Sequence, residues 1–175
     1  MDTTPQTPLE KYVSLTTSFI AVALSISSIF ANAVGDELII SRSVANNEWS
    51  YFQSKSIKQN LFEANQKVLE TQLSDSTLGR LHRQKIEVQI KDFQDEINRY
   101  EKEKDDIKAN AKKHEKICQI ADKQGSFLDL SEAFYQISII LSAISLIARS
   151  RILWVSSIFL GIAGISTTLY VYFSI

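Results

Sequence analysis

One cysteine, two histidines, two prolines and five glycines leave this 175-residue chain short of the parts most catalytic sites are built from. A lone Cys118 cannot form an internal disulfide, and no Cys-x-x-Cys pair is present. The glycines are scattered, so no glycine-rich loop exists to cradle a phosphate. Both prolines, Pro5 and Pro8, fall at the very start, and nothing after them forbids long helices. His114 and Cys118 are four residues apart, a helical spacing that can put two ligands on one metal. Both also fit the packing seam described below, where an imidazole and a small thiol pack well, and that reading is preferred. His82 lies beside a turn and is expected in solvent. The sequence predicts a protein that is not an enzyme and has no cofactor or metal.

Charge is missing from three stretches: Tyr12 to Gly35, Ala133 to Ala148 and Ile152 to Ile175. A helix needs roughly 20 apolar residues to cross the hydrocarbon core. The first and third stretches meet this outright. The second meets it if it starts near Phe127, with Asp129 and Glu132 among the headgroups. Three spans are therefore expected, at about 12–35, 128–148 and 152–173, with Arg149-Ser150-Arg151 as a tight turn. Lys11 followed by an apolar run and Ala31-Asn32-Ala33 has the outline of a signal peptide. The run is longer than the roughly 7–15 residues of a signal core, so a retained anchor is expected. No carboxylate lies well inside a span, which speaks against an ion-coupled transporter of the usual kind.

The charge that is present is concentrated. Of 19 Lys and Arg, only Lys11, Arg149 and Arg151 lie outside residues 36–132; of 20 Asp and Glu, only Asp2 and Glu10 do. The middle is dense in charge yet nearly balanced, which excludes the basic excess of a nucleic-acid partner. Orientation is read from basic residues in short loops. Lys11 and the Arg149–Arg151 turn share a side in a three-span protein. That side is expected to be cytoplasmic and the charged middle extracytoplasmic.

Within the middle, Ile86, Ile90, Phe93, Ile97, Tyr100, Lys104, Ile107, Ala111, His114, Cys118 and Ala121 recur at alternating steps of four and three. This heptad seam is the signature of a coiled coil. "LSDSTLGR", residues 73–80, reads as a turn, with Ser76 or Thr77 as the cap of the second helix. The first helix answers with Ala45, Trp49 and Phe52, then Ile57, Leu61, Ala64 and Val68 after a five-residue step that breaks the phase. On this reading Trp49 and Phe52 are core, and Tyr51 faces a neighbouring protomer or partner. Ile90, Phe93, Ile97 and Tyr100 complete the hairpin's core or interface. Residues 77–125 outnumber residues 36–73, so the second helix is expected to bend or break near Gly125.

The first span carries a stripe of small and polar residues, Ser14, Ser18, Ala21, Ser25, Ser28 and Asn32, at steps of four and three. Such a stripe lets helices approach closely in lipid. It marks a candidate oligomer interface or pore lining. The opposite face carries Phe19, Ile20, Val22, Leu24, Ile26, Ile29 and Phe30. A weaker set on the third span is Ser157, Gly161 and Gly164.

The expected architecture is an all-α membrane protein. It comprises a tail and first span at 1–35, an antiparallel coiled-coil hairpin at 36–126, and a transmembrane hairpin at 127–175. "NEWSYFQSKSIKQNLFEA", Phe127-Leu128-Asp129-Leu130, and Arg149-Ser150-Arg151 before Trp154 are similar to a family of small bacterial membrane proteins catalogued as domain of unknown function 4337. The resemblance covers most of the chain. It implies a bacterial membrane but no activity, ligand or catalytic residue. The turn departs from the family pattern, with two Arg in place of an unbroken basic run. The functional expectation is a homo-oligomeric scaffold or interaction protein in the bacterial inner membrane. The alternatives are a conduit lined by the first span, or an accessory subunit gripping a larger complex through its hairpin.

Overall fold

The computed structural model describes residues 8–173. Three helices account for nearly all of them: α1, Pro8–Leu73; α2, Arg80–Ala148; and α3, Arg151–Phe173. Among the described residues there is no strand. Each helix contains a segment long and apolar enough to cross a membrane. The tail at residues 1–7 lies outside the described residues. The chain divides into an apolar unit, Met1–Ile39 with Cys118–Ile175, and a charged unit, Ile40–Ile117.

The expected break near Gly125 does not occur. Gly35 and Gly125 both sit inside uninterrupted helices. A helical glycine costs only about 1 kcal/mol relative to alanine, less than the packing of a long buried face returns. The excess length of the second helix is taken up differently. From Cys118 onward, α2 belongs to the apolar unit, where Ala121 and Leu128 pack with Val34 and Val171. Segments 40–73 and 80–117 of the charged unit are then nearly equal.

The turn between α1 and α2 also corrects the expectation. Neither Ser76 nor Thr77 caps α2. The backbone carbonyl of Gly79, just ahead of α2, accepts from the amides of His82 and Arg83. Thr77 instead donates its amide and hydroxyl to the Asp75 carboxylate, at 2.9 and 2.7 Å. That closes an Asx turn and holds the carboxyl of Asp75 below its ordinary range, chiefly through the amide.

In the charged unit α1 and α2 run antiparallel. Trp49 bonds Glu115, Lys55 pairs with Glu103, Gln59 reaches Glu101, Phe62 packs on Phe93, and Gln66 bonds Gln94. Every expected seam position of α2 from Ile86 to Ile107, and Ala111 and His114 beyond, is buried or half-buried. The second half of the α1 seam differs. Ile57, Leu61, Ala64 and Val68 face outward, with Ile57, Leu61 and Val68 exposed by 69%, 59% and 55%. The phase of four and three does not break. After Phe52 it is carried by Lys55, Gln59, Phe62, Gln66, Leu69 and Leu73. Polar side chains hold those places because Lys55 and Gln59 find partners there.

In the apolar unit the helices meet along small and hydroxylated side chains. Ser27, Ser131, Ser138, Ser142, Ser145 and Ser157 are fully buried, with Tyr135 and Leu128. In hydrocarbon, apolar burial gives helices little reason to associate, so close backbone approach and hydroxyl hydrogen bonds take over. Gly164 shows how close the approach is, since a Cβ there would stand 2.8 Å from the ring of Tyr135.

Glycine substitutions test this packing. Gly164→Ala should destabilise the fold by about 1–3 kcal/mol, because the Tyr135 ring has to move. Gly125 meets nothing within 4 Å, so Gly125→Ala should stabilise by about 0.5–1 kcal/mol through helix propensity. Thermal melting in detergent reads both, and shifts of the same sign would contradict the packing of α3 on α2.

Candidate functional site

Two arrangements hold the polar groups of interest, one in each unit. In the apolar unit Ser131, Tyr135, Ser138, Ser142 and Ser145 recur at four and three along α2. They face Ser157, Gly161, Gly164 and Thr168 of α3, at the same spacing. Ser131 Oγ lies 2.6 Å from Thr167 Oγ1. Ser138 donates to the Ser157 carbonyl at 2.6 Å, and Ser142 to the Ser157 hydroxyl at 2.9 Å. Tyr135 Oη lies 3.1 Å from Thr168 Oγ1, which lies 3.3 Å from Ser27 Oγ. That chain of three hydroxyls ties all three helices together.

The stripe singled out from the sequence is elsewhere. Ser14, Ser18, Ala21, Ser25 and Asn32 are exposed, and Ser28 is half-buried. The hydroxyls of Ser14, Ser18 and Ser25 bond backbone carbonyls one turn earlier on α1. They are satisfied without a partner helix. The inner face of α1 is instead Val13, Thr17, Ile20, Leu24, Ser27, Ala31 and Val34. Ile20 and Leu24 therefore belong to this inner face, whereas Phe19, Val22, Ile26, Ile29 and Phe30 face outward. The α2 serines have the spacing of the α1 stripe, and the sequence alone does not set them apart from it. The weaker set on α3 proves to be fully inward.

In the charged unit the aromatic cluster brings Trp49, Phe52 and Lys55 of α1 to Tyr100, Glu103, Lys104 and Glu115 of α2. Trp49 is half-buried, meets Phe52 edge-on, and donates its indole N–H to Glu115 at 2.8 Å. Phe52 lies under the Lys104 ammonium, 5.6 Å from the ring centroid. Tyr51 is 52% exposed. The Lys55 ammonium sits 5.1 Å from the Tyr51 ring centroid and 5.3 Å from that of Tyr100, and pairs with Glu103 at 2.6 Å. Phe62 lies between Phe93, which it meets edge-on, and Tyr100, whose ring is tilted against it. Ile97 is buried and Ile90 half-buried. Gln59, buried on the seam, donates to Glu63 and Glu101.

The electrostatics are those of a clamp. The hydrogen bond to Glu103 raises the pKa of Lys55 above its usual 10.5, away from the neutral amine a nucleophile needs. The same bond from Lys55 holds Glu103 below 4.5. Among the described residues no group of three or more His, Cys, Asp or Glu is placed to hold a metal.

The clamp has a pH signature. A carboxylate with a lowered folded pKa stabilises above its unfolded value and loses that contribution as pH falls through the folded one. A lysine with a raised pKa stabilises below 10.5 and loses the contribution above it. Melting temperature should hold level through neutral pH and fall below about pH 4.5. Glu103→Gln should flatten the acid limb relative to the parent, and an unchanged limb would remove Glu103 from the clamp. Separately, Gln59→Leu should raise the melting temperature by replacing a buried amide, while loosening the register that a polar seam residue fixes.

The family model described as Domain of unknown function (DUF4337) matches residues 9–174. No curated protein and no solved structure matches the chain. A match over nearly the whole length, covering both the hydroxyl-lined bundle and the charged helix pair, places this chain in the DUF4337 family.

Proposed function

We propose that the protein is a non-enzymatic interaction protein of the bacterial inner membrane, assembling as a homo-oligomer through its charged helical hairpin, an antiparallel coiled coil. The observation that carries this reading is the outward row Ile57, Leu61, Ala64 and Val68, at steps of four, three and four on a segment rich in charge. Single exposed apolar residues are ordinary, but a row on heptad spacing is a second seam without a partner among the described residues. A second copy of the chain fits it. Protomers anchored in one membrane present parallel α1 helices. In that register Gln53 falls opposite Lys58, Asn60 opposite Asn65 and Lys67 opposite Gln72, so no like charges meet across the row. Lys11, Arg149 and Arg151 on the cytoplasmic side would leave the hairpin outside.

The conduit reading draws less support. A lining of Ser14, Ser18 and Ser25 would offer hydroxyls whose protons are already engaged by backbone carbonyls. An accessory subunit would use the same outward row against a different partner.

Two measurements test the proposal. Leu61→Asp should convert the oligomer to monomer in detergent, by light scattering, while leaving helicity unchanged. Retention of the oligomer would refute assembly through this row. A protein that is monomeric before mutation would favour the accessory subunit. With Cys118 replaced by alanine, a cysteine at Asp75 should react with an impermeant thiol reagent in intact spheroplasts. Labelling only after lysis would reverse the orientation.

A further inference from the structure

Three cations gather at the end of the apolar unit where α1 begins and α2 gives way to α3. Lys11, Arg149 and Arg151 are all exposed, and none has a carboxylate partner among the described residues. Arg149 adopts the left-handed conformation, with φ of 46°. A glycine would take that conformation without strain, yet the position holds a guanidinium.

Beside the cations, Tyr12 and Trp154 stack with centroids 6.3 Å apart. The Trp154 indole donates to Thr16 Oγ1 at 3.1 Å. Thr16 is also the first residue of an apolar groove of about 160 Å³ between α1 and α3. Its walls are Phe19 and Ile20 on one side and Ile158, Gly161, Ile162 and Ile165 on the other. Gly161 lets Ile20 pack close against α3 at the floor, since a Cβ there would lie 3.1 Å from the Ile20 side chain. The contacts Thr16–Trp154 and Ser27–Thr168 show α1 and α3 running the same way from the cationic end. The groove therefore leads from the cations into the charge-free part of both helices.

We propose that this end of the bundle binds one anionic phospholipid. Lys11, Arg149 and Arg151 hold the phosphate, Tyr12 and Trp154 sit at headgroup level, and one acyl chain lies in the groove. Guanidinium groups recognise phosphate oxygens through paired N–H donors, and unpaired cations at a membrane surface favour anionic lipid. Tyrosine and tryptophan prefer the interfacial depth. The inference rests on these helices crossing a membrane and is independent of oligomerisation. An ordinary interfacial belt would have the same residue types, but not a groove whose first residue, Thr16, is held by the indole of Trp154. It would also bind without stoichiometry.

Native mass spectrometry of the full-length protein in detergent tests this, using phosphatidylglycerol and phosphatidylcholine with identical acyl chains. One phosphatidylglycerol per protomer should be retained, in preference to phosphatidylcholine. Lys11→Gln with Arg151→Gln should weaken that retention by about thirtyfold, and Lys67→Gln, in the charged unit, should not. Ile162→Trp, which fills the groove from its lip, should weaken it with all cations in place. Helicity is followed for each variant, and if the double variant fails to fold, Ile162→Trp decides. Equal retention of the two lipids, displacement by millimolar inorganic phosphate, or indifference to Ile162→Trp would each overturn the proposal.

Discussion

The structure depends on a single constraint, the return of an inward side chain every three or four residues along very long helices. On α1 the series begins at Val13 and reaches Leu73 without a missed step. A helix of 66 residues would not hold its course on propensity alone. It holds because each turn delivers one side chain to the same face. Everything else in the fold adjusts to that rhythm, including which chemistry may stand at each position.

The chemistry changes along the helices while the spacing does not. In the apolar unit the facing places of α2 and α3 go largely to serine, threonine, glycine and one tyrosine, whose hydroxyls bond across the interface at 2.6 to 3.3 Å, while α1 brings mostly aliphatic side chains with Thr17 and Ser27. In the charged unit they go to aliphatic and aromatic residues with a few polar ones. Water makes apolar burial favourable there and leaves ion pairs a secondary matter of register. Hydrocarbon removes the first effect and rewards the close contact that small residues permit.

This explains what could be read from the sequence and what could not. The α2 seam from Ile86 to Ile107 was legible because its inward places are nearly all apolar, with Lys104 as the interruption. The second half of the α1 seam was not, because Lys55, Gln59 and Gln66 occupy inward places while Ile57, Leu61 and Val68 face out. A search for apolar spacing follows the wrong face there, since partners such as Glu103 and Glu101 lie some forty residues away in the chain. The Gly125 break failed for a related reason, a local propensity being outweighed by distant packing. The serine series on α2 was in plain view, at the same spacing as the exposed series on α1. Spacing alone does not say which of two such stripes is inward; the bulk around each decides, and Tyr135 against Gly164 makes the choice on α2.

The hydroxyl pairing between α2 and α3 also bears on how helices of this length and composition would enter a membrane. Ser131, Ser138 and Ser142 lower the apolar character of their segment, and each draws a hydrogen-bond partner from α3. Arriving alone in lipid, that segment would have only its own backbone carbonyls to engage these hydroxyls, as Ser131 bonds Phe127 at 2.9 Å, and would lose the bonds to α3. The interval between Ala148 and Arg151 is two residues, too short for the helices to be handled separately. Insertion of the two as one preassembled pair would let the serines meet their partners before lipid surrounded them. Such a pair would present, through Tyr135 and Thr168, the hydroxyl that meets Ser27 of the first helix.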